Sequence, residues 1–282
     1  MAIILALVGG LVVTSSDSAH SAEKPAPVAA QRVFDGDVLV IAHRGDSKVA
    51  PENTLPAFQS AVKAGADLVE LDYHHSADGV PVVFHDADLD RCTNAVALWG
   101  GSKIRLASKS LAELKTLDAG SWFRPEFAGT RIATLEEAVT AIQAGSMTLI
   151  ERKAGAPATC VGFLKQRKLI DQVVVQAFDW EFLTLCHQLA PELLLGALGS
   201  KECSVGKLDQ VAQTGARVVG WEDRFTTVES IAAIHDRGWK AWAWTVDDPR
   251  RAVELVDAGI DGIITNRPAE IRAAVRKARP AN

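Results

Sequence analysis

Four short stretches concentrate side chains suited to acid, base or metal chemistry. The apolar run Val38 to Ala42 ends in His43-Arg44-Gly45, and the run Leu68 to Asp72 carries Glu70 and Asp72. Val80 to His85 ends in His85-Asp86, and Thr148 to Glu151 runs on into Arg152-Lys153. Residues two apart on a strand share a face, so Glu70 and Asp72 point the same way. Confined together they repel, which raises one carboxyl strongly unless a cation offsets the charge. With Glu151 as a third acid, a hard divalent metal is the simplest offset, and an all-oxygen ligand set favours Mg2+ or Ca2+ over zinc. Two histidines beside such an ion suit phosphodiester cleavage. One imidazole takes a proton from the attacking oxygen and the other protonates the leaving alkoxide. Arg44 and Lys153 would hold the phosphate oxygens. Each acid taken alone reads as a solvated or salt-bridged loop residue, with Arg44, Arg152 and Lys153 as available partners. Convergence of all of them on one surface is what a purely structural role does not require.

That convergence needs a scaffold that brings distant strand ends together. From Val38 onward, short apolar runs alternate with amphipathic stretches that end near Gly. The runs are Val38 to Ala42, Leu68 to Asp72, Thr148 to Glu151, Val173 to Phe178, Leu193 to Leu198, Val218 to Trp221, Ala241 to Val246 and Gly262 to Thr265. Eight parallel strands with their helices predict a (β/α)8 TIM barrel, whose chemistry belongs at the C-terminal ends of the strands. A ninth run, Val80 to His85, follows Asp72 after only seven residues that include Asp78-Gly79. That spacing is too short for a parallel crossover, so this run is expected to be antiparallel. A turn centred between Asp78 and Gly79 would set His85 opposite Asp72. Residues 73–131 are then an insertion in the second βα loop, too small to count on a core of its own. A helix is expected from about Asn53, capped by Asn53 or Thr54, and another from Thr134, with Thr134 and Glu137 as a capping box.

Other candidates are weaker. Trp242 and Trp244 share a face of the seventh parallel strand, and Trp244 at its end is expected to wall the substrate site, with core packing as the alternative. Glu52 is expected to orient a base or hydroxyl at the rim. His74 and His75 read as solvent-facing loop residues, and His187 and His235 as structural. Trp122, Phe123 and Phe127 read as the insertion's own apolar packing.

The chain has 282 residues, 48% of them hydrophobic and 23% charged, which is a globular composition. Thirty Lys and Arg against 35 Asp and Glu leave a net charge of −5, which argues against nucleic acid as a partner. The apolar run Ala2 to Val13 is too short to span a membrane but suits the core of a signal peptide, although no Lys or Arg precedes it. Ala19 and Ser21 offer a cleavage pattern, so residues 1–33 are read as a signal peptide and flexible leader and 34–282 as the barrel. Export to a periplasmic or extracellular space is expected, with a cytoplasmic location as the alternative. No other run is long enough for a transmembrane helix, and nothing in the sequence points to an oligomeric state. Cys92, Cys160, Cys186 and Cys203 have neither zinc nor redox spacing and read as buried thiols. Export would also permit one disulfide, for instance Cys186 with Cys203.

The segments HRGDSKVAPENTLPAF and GADLVELDYHHSADGVPVVFHDADLDRCTN resemble the glycerophosphodiester phosphodiesterase family. The likeness continues through DAGSWFRPEFAGTRIATLEEAV, the Glu151-x-Lys153 pair, WTVDD from Trp244 and GIDGIITNRP, and so covers about Val38 to Pro268. It implies a barrel that hydrolyses small-molecule glycerophosphodiesters to glycerol 3-phosphate and an alcohol, with dependence on a divalent metal. It also implies His43 and His85 as the catalytic pair, Glu70, Asp72 and Glu151 as metal ligands, and Arg44 and Lys153 as phosphate contacts. Two positions depart from the family's pattern: Gln176-Ala177 precede Phe178 where a Ser is common, and Asn266 stands where an Asp is usual. The resemblance allows attack by the substrate's own glycerol 2-hydroxyl as well as by water. A phospholipase D-like activity on lysophospholipids or sphingolipids is the neighbouring alternative. A phosphate-ester binding barrel without turnover is the alternative of a different kind.

Overall fold

The computed structural model describes residues 28–279. Helix α1 (Val28–Phe34) precedes strand β1 (Leu39–Ala42) and helix α2 (Leu55–Lys63), and strands β2 (Leu68–His75) and β3 (Pro81–Val83) form a hairpin. The short helices α3 (Ala95–Trp99) and α4 (Leu111–Leu114) follow, and α5 (Leu135–Ile142) returns the chain to the repeat. Strand and helix then alternate: β4 (Met147–Arg152), α6 (Pro157–Gln166), β5 (Val173–Ala177), α7 (Trp180–Leu189), β6 (Leu194–Gly199) and α8 (Val205–Val211). The series ends with β7 (Val218–Glu222), α9 (Val228–His235), β8 (Lys240–Trp244), α10 (Pro249–Asp257), β9 (Gly262–Thr265) and α11 (Pro268–Ala278).

The sheet order is β1-β9-β8-β7-β6-β5-β4-β2, and a further β1–β2 pairing closes it; every one of these pairings is parallel. The expected (β/α)8 barrel is therefore what the chain forms. Alternation along each strand sorts the side chains into two sets. Leu39, Ile41, Leu68, Leu149, Val174, Leu194, Val218, Trp242 and Ile264 fill the interior. Val40, Val69, Ile150, Val175, Val219 and Ile263 face outward into the helices, against Phe58, Val139, Leu164 and Leu255. Leu68 lies in the interior set, so Glu70 and Asp72 point inward above it.

Helix α1 closes the lower end. Ala29 and Val33 are 1% and 2% exposed and pack with the interior strand residues. Val28–Phe34 is thus a packed helix of the fold, inside the segment assigned from sequence to a leader ending at residue 33; the Ala2 to Val13 run and the Ala19 and Ser21 positions lie outside the described residues. Among the described residues no helix is long and apolar enough to cross a membrane.

The β2–β3 hairpin is antiparallel as expected, but its register is one residue off the symmetric pairing. Tyr73 pairs with Val83 and His75 with Pro81, and Phe84 N–H donates to the Asp72 carbonyl at 3.0 Å, so Asp72 faces Phe84 and not His85. The cause is an extra residue in the turn. Gly79 lies in the left-handed region (φ 80°) and donates to Ser76 O, while Ser76 N–H donates to Val80 O at 3.0 Å. Strand β2 consequently runs on through His74, which is 7% exposed, so His74 is not a solvent-facing loop residue.

The insertion has a core after all. Val82, Phe84, Leu89, Cys92, Ala95, Leu106, Leu114, Leu117, Ala119 and Ile132 pack together, while Trp122, Phe123 and Phe127 lie outside that cluster as an edge-to-face stack under Arg124. Helix starts follow local chemistry. Thr54 caps α2, and Thr134 and Glu137 form the reciprocal capping box of α5. All four cysteines are free thiols, Cys92, Cys160 and Cys186 buried.

Candidate active site

Parallel register sets the acids side by side, because Asp72 pairs with Glu151 across β2 and β4 and Glu151 with Gln176 across β4 and β5. Glu70, Asp72 and Glu151 are all buried, and one carboxylate oxygen from each lies within 4.8 Å of the others. Two cations share this space. Lys153 Nζ is 3.2 Å from Asp72 Oδ1 and bonded to Glu151 Oε1, while Arg44 Nε is 3.3 Å from Asp72 Oδ2. Asp72 is further held by Asn53, whose Nδ2 donates to Oδ2 at 2.7 Å and whose Oδ1 accepts from Asp72 N–H at 3.1 Å.

Glu70 is different. Its Oε2 accepts the Arg44 backbone N–H at 2.7 Å, but its Oε1 is buried without a hydrogen-bond partner. Burial, then the nearby Asp72 and Glu151, push its carboxyl well above the usual range. Burial and Asp72 likewise push Glu151 up to about 7. Asp72 goes the other way: burial alone would raise it, but Lys153 and Arg44 outweigh that and hold it below its ordinary value. With all three acids ionised, three carboxylates against two cations leave one negative charge in a buried space, which a bound proton or a bound cation can neutralise, and the orphaned Glu70 oxygen is a free ligand for the second. This donor set fits a hard divalent cation.

The backbone that delivers Arg44 is itself unusual. Arg44 and Asn53 have φ of 56° and 58°, and Gly45 has φ of 82°. A Cβ on Gly45 would lie 2.7 Å from Ala57, so glycine is required there by close approach as well as by φ.

His43 and His85 flank the acids and are fixed differently. His43 Nδ1 is 2.8 Å from Asn266 Oδ1, and Asn266 in turn donates from Nδ2 to Asp247 Oδ2 at 2.7 Å. Because Asp247 claims the amide nitrogen, Asn266 must turn its oxygen to the ring. His43 therefore carries its proton on Nδ1 when neutral, which leaves the Nε2 lone pair free. Burial, then Arg44, lower its pKa to about 4. His85 Nδ1 is 2.6 Å from Asp86 Oδ1, and its carbonyl accepts from His74 Nε2 at 3.1 Å. Burial would raise Asp86, but Arg91 and His85 bring it down to about 2.

His43, Arg44, His85, Glu151, Lys153, Gln176, Phe178, Leu198 and Trp244 line one cavity of about 270 Å3. Phe178 and Trp244 meet edge to face at 5.5 Å and form its apolar wall. A wider, open depression of about 760 Å3 at the opposite end of the barrel is bordered by Arg32, Asp67 and Arg272, with Asp67 paired to both arginines. It offers no comparable set of reactive groups.

The residues 43–270 match the model of the glycerophosphoryl diester phosphodiesterase family. The chain belongs to that family. A glycerophosphodiester phosphodiesterase of Caldanaerobacter subterraneus is 34% identical over 85% of this chain and 98% of its own. One of Bacillus subtilis is 32% identical over 82% of this chain and 84% of its own. Among solved structures, an Oleispira antarctica phosphodiesterase in complex with the product sn-glycerol-3-phosphate superposes with a TM-score of 0.79 at 31% identity, covering 86% of this chain and 98% of that one. This phosphodiesterase brings all eight residues singled out from sequence, His43, Arg44, Glu70, Asp72, His85, Glu151, Lys153 and Trp244, to one rim. Arg152 turns away to Asp179 at 2.9 Å and the Phe182 ring. Sequence reasoning missed Asn53, Arg91 and Asp247, polar residues whose partners Asp72, Glu52 and Asn266 lie 19, 39 and 19 residues away along the chain. The one local hint was the unusually polar spelling of the segments that carry them.

Proposed function

We propose that the enzyme hydrolyses glycerophosphodiesters to glycerol 3-phosphate and an alcohol, with Mg2+ or Ca2+ held by Glu70, Asp72 and Glu151. The observation that carries this reading is the pair of imidazoles lining one cavity with the acids, each tied at Nδ1 and each left with Nε2 for the substrate. A cation bound at the acids supplies Lewis-acid polarisation of the phosphodiester. It would turn the local charge from one negative to one positive, matching the single negative charge of a phosphodiester.

Neutral His43 accepts the proton of the attacking oxygen at Nε2, whether that oxygen belongs to water, which gives glycerol 3-phosphate directly, or to the glycerol 2-hydroxyl, which gives a cyclic phosphate that water then opens. Asn266 keeps the tautomer that allows it. His85 gives a proton from Nε2 to the departing alkoxide, and Asp86 supports the ring while it is charged. Arg44 and Lys153 hold the phosphate oxygens. The product bound in the Oleispira relative supports a glycerol phosphate half-site here. The cavity of about 270 Å3 suits that half and leaves the alcohol outside, which favours a water-soluble diester over an acylated one. Export rests on the Ala2 to Val13 run, and cell fractionation tests it.

The test is turnover of a water-soluble glycerophosphodiester by wild type, His43→Ala and His85→Ala, with Mg2+, with Ca2+ and with chelator. Each variant should lose about 100-fold or more in kcat, and chelator should abolish activity. Near wild-type rates in both variants would remove the two histidines from the mechanism.

A further inference from the structure

Arg91 belongs to the insertion and does not line the cavity, yet its guanidinium joins two carboxylates that serve it. Nε and Nη2 donate to Asp86 Oδ2 and Oδ1 at 2.7 and 3.2 Å. Nη1 and Nη2 donate to Glu52 Oε2 and Oε1 at 3.0 and 2.7 Å. Both edges of the planar fork are thus used bidentately, a geometry open to arginine and closed to lysine. Beyond Asp86 lies His85 Nδ1 at 2.6 Å, and beyond Glu52 lies Arg44 Nη1 at 2.9 Å. The chain His85-Asp86-Arg91-Glu52-Arg44 therefore runs from one imidazole to one phosphate-facing guanidinium through alternating charges. Arg91 also ties this part of the insertion to the loop between β1 and α2 that carries Glu52, a loop that Arg124 of the insertion meets separately at the Val49 carbonyl.

We propose that Arg91 is a positioning residue that sets the proton-donating ring and the phosphate clamp in one geometry, so that the insertion completes the site instead of merely bordering it. This rests on the reading of His85 as the group that protonates the leaving alcohol. Without Arg91, Asp86 is released from one side and His85 loses its fixed orientation, while Glu52 stops holding the outer face of Arg44. A structural role alone would lower every rate together. A positioning role has a chemical signature, because a leaving group that departs as a stable anion needs little protonation.

The experiment compares two glycerol 3-phosphate diesters, one with an alkyl alcohol and one with p-nitrophenol as leaving group, in wild type, Arg91→Met, Arg91→Lys and His85→Ala. Arg91→Met should lose about 30-fold in kcat on the alkyl diester but less than about fivefold on the p-nitrophenyl diester. KM should rise on both, reporting the loosened Arg44. Arg91→Lys keeps the charge but cannot span both carboxylates, so it should show the same selectivity at smaller size; it also carries the test if Arg91→Met does not fold. Equal loss on the two diesters, or wild-type rates in both Arg91 variants while His85→Ala is impaired, overturns the proposal. If His85→Ala itself keeps wild-type turnover of the alkyl diester, the functional reading fails first and takes this inference with it.

Discussion

His43 shows how much of a residue's chemistry is decided by what it cannot do. Burial and the adjacent Arg44 disfavour its cation and lower its pKa to about 4, while Asn266 fixes the remaining proton on Nδ1. In the metal-free protein its ring should therefore stay neutral, as the Nδ1–H tautomer, from pH 8 down to about pH 5. Imidazole 15N shifts assigned by comparison with His43→Ala check this, and a cationic ring at pH 6 would contradict it. Asn266→Ala should free the tautomer and lower kcat about tenfold, roughly the worth of one well-placed hydrogen bond. At this scale the reacting groups were legible in sequence because charged residues at the ends of apolar strands stand out against their surroundings. Their supports were not. His43 and Asn266 are 223 residues apart, and Asp247 reaches the ring only through Asn266. No periodicity records such contacts, and Asn266 drew notice only as a departure from a family pattern.

Elements divide along the same line. The parallel strands could be counted because a strand buried on both faces reads as an apolar run and its helix as a stripe, two patterns with different periods. The direction of β3 followed from arithmetic, since seven residues cannot make a parallel crossover. Its register did not, because Gly79 in the left-handed region adds a turn residue that the symmetric count leaves out. Helix α1 escaped for another reason. Only Ala29 and Val33 of its seven residues are buried, too sparse a stripe to separate from a polar leader. Its importance can still be measured. Val33→Asp would place an unpaired charge against the interior residues Leu39 and Leu194, and should cost about 3 kcal/mol of stability. The residues proposed for catalysis sit at the other end of the barrel, so kcat of the folded fraction should stay within about twofold of wild type. Urea melts and active-site-normalised rates read the two effects separately, and an unchanged melting midpoint would show that the floor is not sealed by α1.

The molecule as a whole carries an electrostatic debt at its rim that the barrel's hydrophobic layers must offset. Glu70 and Glu151 have ordinary values of 4.5 in the unfolded chain, but burial and their acidic neighbours raise both in the fold, Glu151 to about 7. Over that window the native state binds more protons than the unfolded state, so the metal-free protein loses stability as pH rises from about 4.5 through 7. A divalent cation competes with those same protons and removes the repulsion when they leave. Its stabilising effect must therefore grow with pH, in the sense opposite to the metal-free trend. At 100 times its dissociation constant a ligand contributes about 2.7 kcal/mol, which for a chain of this size is a rise in Tm of roughly 5–10 °C. Calorimetry with Mg2+ or Ca2+ should find an increment of that order at pH 8, shrinking markedly by pH 5.5, where Glu151 holds its proton. Glu151→Gln should flatten both curves together, because one carboxylate is responsible for part of the metal-free loss and part of the metal gain. A metal increment that is the same at both pH values, or a Glu151→Gln protein that keeps the full increment, would place the cation somewhere other than these three acids.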